Sequence, residues 1–574
     1  MAKSVESAEN EAAARAGRQA AAVGIASGAG SLLWTASAIL IAALIVLPVA
    51  SVVWIALRAE GNVWPHLLAT TLPRYLANTF VLMLATGALS AAVGAGAAWL
   101  VTMYRFPLSR LFEWLLLMPL AVPAYVGAYA VVDFLDYSGL VQTGLRELMG
   151  WQSAQDYAFP EIRSRTGAVI VLTGALYPYV YLLARAAYRE QSGGAYEVAR
   201  SLGAGPVGLF LRVGLPLARP AIAVGAAIVM METVNDFGVV DFFGVQTLTT
   251  GIFTTWLERG DAGAAAQIAC IILAVMLALV AIERQSRRRL RFHQSARHLR
   301  PITAERLSGW LAALATFLCL VPVAVGFVLP VAVMLGHATD NPAAWVSAGL
   351  AGALANTLSV GGGAALLTVT LALLMVYGVR MAGNRAARWV LPVTTIGYAV
   401  PGAVLAVGLL IPLAAIDNRI ADAVQAATGR DPGLILIGTA AALVIAYVVR
   451  FFAIAQGAVD SAFGRVAPSL PMAARSLGRT AGGVLRSLYL PLMRGSVATA
   501  LLLVFVDCVK ELPATLLLRP FNFETLATRV HEKASLENLG EAAPPAILVM
   551  AVGLAAVLLL VRSHREAHRP GRDG

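Results

Sequence analysis

The sequence is poor in charge, in cysteine and in catalytic motifs. Charged residues fill 13% of its 574 positions, hydrophobic residues fill 59%, and the mean hydropathy is +0.75. A soluble domain cannot hide that much apolar surface, because surface-to-volume scaling leaves too little interior. The solvent that fits is lipid. The three cysteines, Cys270, Cys319 and Cys508, all fall in apolar runs, which excludes a disulfide framework and a zinc-ligand spacing. The seven histidines form no H-E-x-x-H pair, and no G-x-x-x-x-G-K-[ST] loop occurs, so neither zinc hydrolysis nor a Walker-type nucleotide site is expected. The polar start sets Lys3, Arg15 and Arg18 against Glu6, Glu9 and Glu11. It lacks a secretory leader's short apolar stretch and cleavage site, so residues 1–30 are expected to be a cytoplasmic tail.

What the sequence has is long apolar runs. A bilayer core about 30 Å thick needs roughly 20 apolar residues per spanning helix. Twelve such runs are read, near 33–57, 78–104, 111–135, 167–188, 218–240 and 263–282, then 310–336, 356–380, 388–412, 433–455, 496–518 and 545–562. The fifth and eleventh carry charges inside them. Basic residues concentrate in loops on the cytoplasmic side. With the N-terminus inside, most of the 43 Lys and Arg fall in segments on that side. An even number of spans returns Arg562, Arg565, Arg569 and Arg572 there as well. The net charge of +11 follows from this bias. The Arg287-Arg288-Arg289 cluster reads as a topology anchor or a contact with anionic lipid rather than a nucleic-acid site.

The chain is written twice. "EVARSLGAGPVGLFLRVGLPLARP" (Glu197–Pro220) has a twin in "MAARSLGRTAGGVLRSLYLPLMRG" (Met472–Gly495). Leu76-Ala-Asn-Thr79 pairs with Leu354-Ala-Asn-Thr357, and Ala121-Val-Pro123 pairs with Ala399-Val-Pro401. Each half therefore has six spans in one orientation, a parallel repeat about an axis along the membrane normal. The expected organisation is a first half at 31–283, a basic cytoplasmic linker at 284–306, a second half at 307–563 and a basic tail at 564–574. The first loop contains the string Gly203-Ala-Gly-Pro-Val-Gly208, a G-x-G-x-x-G match. It follows no predicted strand, Pro206 interrupts it, and the twin does not keep it, so a dinucleotide loop is rejected.

What does repeat is a small-residue triplet, a glycine and a Leu-Pro pair. That pattern resembles the cytoplasmic loop of ABC importer permeases, E-A-A-x-x-x-G-x(9)-I-x-L-P. The resemblance covers roughly residues 30–562 and implies an all-α integral membrane protein of the type I importer permease fold, N-in and C-in, in a bacterial inner membrane. It also implies two short helices docking into grooves of an ATPase homodimer, through loops 190–217 and 465–492. The residues that would carry the docking are Glu197, Ala199, Gly203 and Pro216, with Ala473, Ala474, Gly478 and Pro491. The glycine permits a sharp bend, and the proline is expected in the first turn of the next helix. Val198 departs from the triplet, Val213 and Leu488 stand where isoleucine is expected, and Met472 stands where glutamate is expected. The two contacts should therefore be unequal. Met230–Trp256 and Phe505–Ser535 look like the ferric-iron group of these permeases, which implies import of Fe(III) delivered by a periplasmic binding protein. ATP would be bound by the partner subunit. This chain would carry no catalytic residue and no cofactor of its own. Permeases for thiamine and for phosphonates remain alternatives.

The charged spans add a reading from the residues themselves. Glu232 and Asp236 in the fifth span match Asp507 and Glu511 in the eleventh, which also carries Lys510. Each acidic pair is spaced i, i+4 and is expected on one helix face. A mid-bilayer charge costs roughly 2.5–3.5 kcal/mol on insertion scales, so such faces turn inward. The functional reading is a cation path near the central axis, and the alternative is internal pairing of Asp507 with Lys510. Hard trivalent iron prefers oxygen ligands, but no metal-ligand set is assigned. Gly238 and Pro513 are expected to break the helices beyond the acids, and Pro123, Pro178 and Pro401 to kink others. Tyr177, Tyr179 and Tyr181 read as interface or packing. An ion-gradient-driven transporter would also use buried acids, but would not need two docking loops.

Overall fold

The computed structural model describes residues 28–567 except 60–63, 192, 289–303, 383–384, 396 and 398–399. The tail expected at 1–30 and the linker expected at 284–306 lie mostly outside the described residues, as do Ala399 and positions 568–574. The protein is an all-α, multi-pass membrane protein. Among the described residues, eleven helices, from Leu32–Leu57 to Leu539–Leu559, are long and apolar enough to span a bilayer. The pair Ser109–Ala121 and Ala124–Met149, which meet at 96°, makes a twelfth where the two are counted as one broken span.

That break corrects the expectation of a straight run at 111–135. Val122 is extended, with φ −97° and ψ 122°, and Pro123 follows it at φ −60° and ψ 140°. The residue before a proline is driven out of the helical region, so the chain turns there. The second half repeats the split, with Arg385–Thr394 and Gly402–Thr428 on either side of Pro401. The fifth and eleventh spans also end early, at Asn235 and Lys510.

A second correction concerns the Leu-Pro pairs. Pro216 and Pro491 lie inside continuous helices, Pro206–Asn235 and Ala481–Lys510, not at the start of new ones. Each is preceded by one turn of π-helix, Phe210–Gly214 and Leu485–Tyr489. The same device occurs at Ala324–Val328 before Leu329-Pro330. In each case the leucine amide bonds to the carbonyl five residues back. Proline has no N–H to give and its ring crowds the carbonyl four residues back. The wider π turn just before it accommodates both effects.

The repeat is visible in the packing. Leu72–Met103 lies along Arg165–Glu190, and Leu350–Ala382 lies along Ala440–Gly464. The first span of each half crosses to the other: Gly28–Leu57 packs on Leu350–Ala382 and Gly402–Thr428, and Leu329–Asp340 packs on Ala124–Leu135. The repeated Leu-Ala-Asn-Thr motif has a shared duty. Asn78 Nδ2 donates to the Gln246 carbonyl at 2.7 Å, and Asn356 Nδ2 donates to the Glu524 carbonyl at 2.9 Å. The Leu248 amide donates to Thr79 Oγ1 at 3.0 Å, and the Leu526 amide to Thr357 Oγ1 at 2.8 Å. The second span of each half thereby holds the loop beyond each broken fifth or eleventh span. Thr79→Val and Thr357→Val each strand a buried amide, with an expected cost of about 1–3 kcal/mol. Thermal unfolding of the purified protein should show both losses, and Thr→Ser at either site should recover most of the stability.

Candidate functional site

The two helix breaks build the site. After Asn235 the chain leaves the helix at Asp236, with φ −68° and ψ 133°, and re-enters a short helix at Gly238–Phe242. After Lys510 it leaves at Glu511, with φ −67° and ψ 122°, and re-enters at Pro513–Leu518. The second acid of each pair therefore lies just past the helix end rather than within the helix, which corrects the expectation of two acids per helical face. Each acid caps the short helix that follows. Asp236 Oδ1 accepts from the Val239 amide at 2.8 Å. Glu511 accepts from the Ala514 and Thr515 amides, both at 2.9 Å, and from Thr515 Oγ1 at 2.7 Å. A carboxylate at a helix N-terminus satisfies free amides and is favoured by the helix dipole.

The second half adds a counter-ion that the first lacks. Arg450 Nη1 donates to Glu511 Oε1 at 3.1 Å, and the Glu511 side chain is 1% exposed. The position 275 residues earlier is Ala175. Room for the pair comes from Gly402, where a Cβ would lie 2.0 Å from Arg450 Nη1 and 2.6 Å from Glu511 Oε1. Lys510 forms no close ion pair with Asp507, although the two feel each other's charge. Its ammonium donates instead to the Leu120 carbonyl of the first half.

These groups surround a cavity of about 180 Å³ at the level where the halves meet. All five charged residues singled out in the sequence, Glu232, Asp236, Asp507, Lys510 and Glu511, line it. Sequence reasoning missed Arg450, a lone arginine inside an apolar run, which was itself the available signal. It also missed Tyr125 and Asn235, and it read Tyr179 as packing, although all three line the cavity. Tyr177 and Tyr181 are fully buried, as expected of packing residues. Among the described residues, no three His, Cys, Asp or Glu side chains converge closely enough to hold a bare metal ion.

On the side away from the two repeated loops a seam joins the halves. Tyr129 Oη is 2.9 Å from His531 Nδ1, and His531 Nε2 is 3.8 Å from Asp241. Arg163 pairs with Glu537 at 2.9 Å. Burial, reinforced by the Arg519 guanidinium, pushes the His531 imidazole down to about 4, so the ring is neutral at ordinary pH.

The two repeated loops share one geometry. Helices Gly193–Ser201 and Ser469–Ser476 end at Gly203 and Gly478, which have φ +83° and +80°. The Ala204 amide bonds to the Ala199 carbonyl and the Gly203 amide to that of Arg200. Arg479 and Gly478 bond in the same way to Ala474 and Arg475. This is a glycine-terminated Schellman cap, whose left-handed residue strains any side chain with a Cβ. Glu197, Gly203, Ala473, Gly478 and Pro491 are exposed, while Ala199, Ala474 and Pro216 are half-buried. Leu202 and Leu477, at matched positions, are 82% and 83% exposed. Among the described residues, the first loop alone is tied to positions 305–306, through Arg200 and Glu305 at 3.0 Å, beside a short parallel pairing of Tyr104–Arg105 with Glu305–Arg306.

Residues 88–292 match the family described as binding-protein-dependent transport system inner membrane component. The chain is 25% identical over 494 residues to the Fe(3+)-transport system permease protein FbpB 2 of Haemophilus influenzae, covering 84% of this chain and 89% of that one. Shorter relatives match about a third of it. The sulfate transport system permease protein CysT of Salmonella typhimurium is 26% identical over 32% of this chain and 65% of its own length. The molybdenum transport system permease protein ModB of Escherichia coli is 27% identical over 32% and 79%.

Two outcomes are expected. Arg450→Met leaves Glu511 buried without its counter-ion, a loss on the order of 3–5 kcal/mol. The protein should be scarce in membranes and melt early, and Arg450→Met with Glu511→Gln should recover part of both. For His531 the folded value lies below the ordinary 6.5, so its contribution is intact above 6.5 and is lost as pH falls toward about 4. Melting temperatures of wild type and His531→Gln should therefore diverge most above that window and converge below it.

Proposed function

We propose, from a chain that is a fused two-half permease of the binding-protein-dependent transport type, that it forms the membrane path for Fe(III) in an ATP-driven importer. The observation that carries the cargo's charge is the wall of the central cavity, where four carboxylates stand against two cations. Both cations are already engaged, Arg450 by Glu511 and Lys510 by the Leu120 carbonyl. An anion such as sulfate, molybdate or a phosphonate would meet net negative charge there. A hard cation would meet oxygen donors of the kind it prefers. The iron relative, which aligns over most of both chains, points the same way.

The energy source is assigned to a separate ATPase homodimer on the cytoplasmic side, and the cargo to a periplasmic binding protein. The description of the matched family supports the binding protein. Two capped helices with unpartnered Leu202 and Leu477 support two docking points. ATP belongs to the partner, and this chain contributes shape and charge rather than a catalytic group.

Uptake of radioactive iron(III) into cells expressing the chain with its copurifying ATPase tests this reading. Uptake should saturate, should be competed by gallium(III), and should be indifferent to molybdate and sulfate. Competition by either anion and not by gallium would falsify the cargo. Gly203→Asp and Gly478→Asp place a charge on the docking surface while aspartate tolerates the backbone better than most residues. Both should abolish uptake with the chain still in the membrane, and Glu197→Ala should weaken ATPase retention more than Met472→Ala. Full uptake with normal ATPase retention in both glycine variants would remove the docking assignment.

A further inference from the structure

We propose that the central cavity is a holding site for one hard, multivalent cation together with part of its water shell. Asp236 and Asp507 contribute charge from opposite halves, and Tyr125 and Asn235 contribute neutral oxygens. This deepens the reading of the chain as a cation permease and rests on it.

The four acids of the cavity are not equivalent. Both oxygens of Glu511 are taken, by Arg450, two amides and a threonine hydroxyl. Asp236 forms no ion pair with a basic side chain among the described residues. The pseudo-two-fold pair is thus split, one acid closed by its own arginine and the other left facing a cavity. Arg450 acts here as a positioning residue, because it removes Glu511 from the set that can meet cargo. Lys510 is likewise held on the opposite half.

A second observation is independent of the acids. Tyr125 Oη and Asn235 Oδ1 are buried, in residues 5% and 6% exposed, and neither has a hydrogen-bond partner among the described residues. Both residues line the cavity. An unmatched buried polar atom costs about 1–3 kcal/mol, and native structures keep few of them. Of the twelve such atoms among the described residues, these two belong to residues lining the cavity that holds the acids, where a polar guest would satisfy them. The amide oxygen only accepts, so it takes a water proton or a cation. Carboxylate, phenol and amide oxygen together form an all-oxygen set, which selects hard cations over soft ones.

The dimensions decide how the ion is carried. The volume of about 180 Å³ holds on the order of six waters at roughly 30 Å³ each. No three ligating side chains of the described residues close on one point. The carboxylates therefore act on the ion through intervening water, and Tyr125 and Asn235 order that water. A site of this kind retains a trivalent ion without binding it so tightly that release toward the cytoplasm becomes slow.

The test uses terbium(III) as a hard trivalent probe on the purified full chain in phosphatidylcholine nanodiscs. The tyrosines of the cavity wall sensitise its emission. Binding should saturate at one ion per chain and weaken about tenfold or more, about 1.4 kcal/mol per tenfold, in Asp236→Asn and in Asp507→Asn. Asp236→Glu and Asp507→Glu should retain it. Tyr125→Phe should lose both affinity and sensitised emission, and Asp431→Asn, in an exposed loop, should match wild type. Emission lifetimes in H2O and D2O should show several waters still on the ion. Unsaturable binding, wild-type affinity in both asparagine variants, or a dry ion would each overturn the proposal. Melting temperatures near wild type in the asparagine variants separate loss of site from loss of fold. Iron uptake separates the two readings: cavity-mapped terbium binding without any iron transport sinks the import reading alone. Normal iron transport with terbium binding insensitive to Asp236 and Asp507 sinks the holding site alone.

Discussion

A carboxylate far from bulk water has to be solvated by the protein itself, and much of this architecture follows from how that is done. An isolated charge at that depth is too costly to leave unmatched. The fifth and eleventh spans stop at the acids, so that Asp236 and Glu511 become the N-terminal caps of the short helices beyond. The break exposes amides, the acid receives them, and each solves the other's problem. The re-entrant segments then need support of their own, which comes from Asn78 and Thr79 in one half and Asn356 and Thr357 in the other. A motif that looks like sequence decoration is thus the buttress of a charged centre.

Duplication supplied two copies of that arrangement, and divergence made them complementary. Arg450 with Gly402 closes the acid of the second half, whereas Ala175 and Ala124 occupy the matching positions of the first. The arginine and the glycine depend on each other, since any side chain at 402 would occupy the guanidinium's space. A buried ion pair adds little net stability against an apolar substitute, so its value here lies in what it does to charge. It lowers the negative charge of the cavity and takes Glu511 out of the set that faces it.

Much of this was legible in the sequence, and the failures have physical causes. The spans were readable because roughly 20 apolar residues suffice to cross a bilayer, and the repeat because whole segments recur. The ends of the third, fifth and eleventh spans were misplaced because apolar periodicity continues through a break. Pro123 was recognised as a kink, but nothing local reveals a 96° turn. The five charges of the fifth and eleventh spans were found because charge in a span is conspicuous. Arg450 was equally conspicuous and was passed over because no twin drew attention to it. Tyr125 and Asn235 were not legible, since their significance lies in the absence of a partner, which only three dimensions disclose. The partners of Asn78 and Thr79 lie 168 and 169 residues away, beyond the reach of any local pattern.

The same geometry links the two ends of the proposed machine. Each proposed docking helix leads, through its glycine cap, into one unbroken helix whose far end carries the acids: Pro206–Asn235 in the first half and Ala481–Lys510 in the second. A helix transmits axial displacement well, but these two contain a compliant point. The π turn before Pro216 or Pro491 replaces the regular hydrogen-bond ladder just above the loop, and π turns and prolines are where helices bend. A movement imposed at the loop would therefore reorient the helix about its base and shift the acids relative to the opposite half. Lys510, anchored on the Leu120 carbonyl across the interface, resists that shift in the present arrangement. That charged hydrogen bond joins the halves beside the acids, as the Arg163–Glu537 pair and the Tyr129–His531 contact join them along the seam.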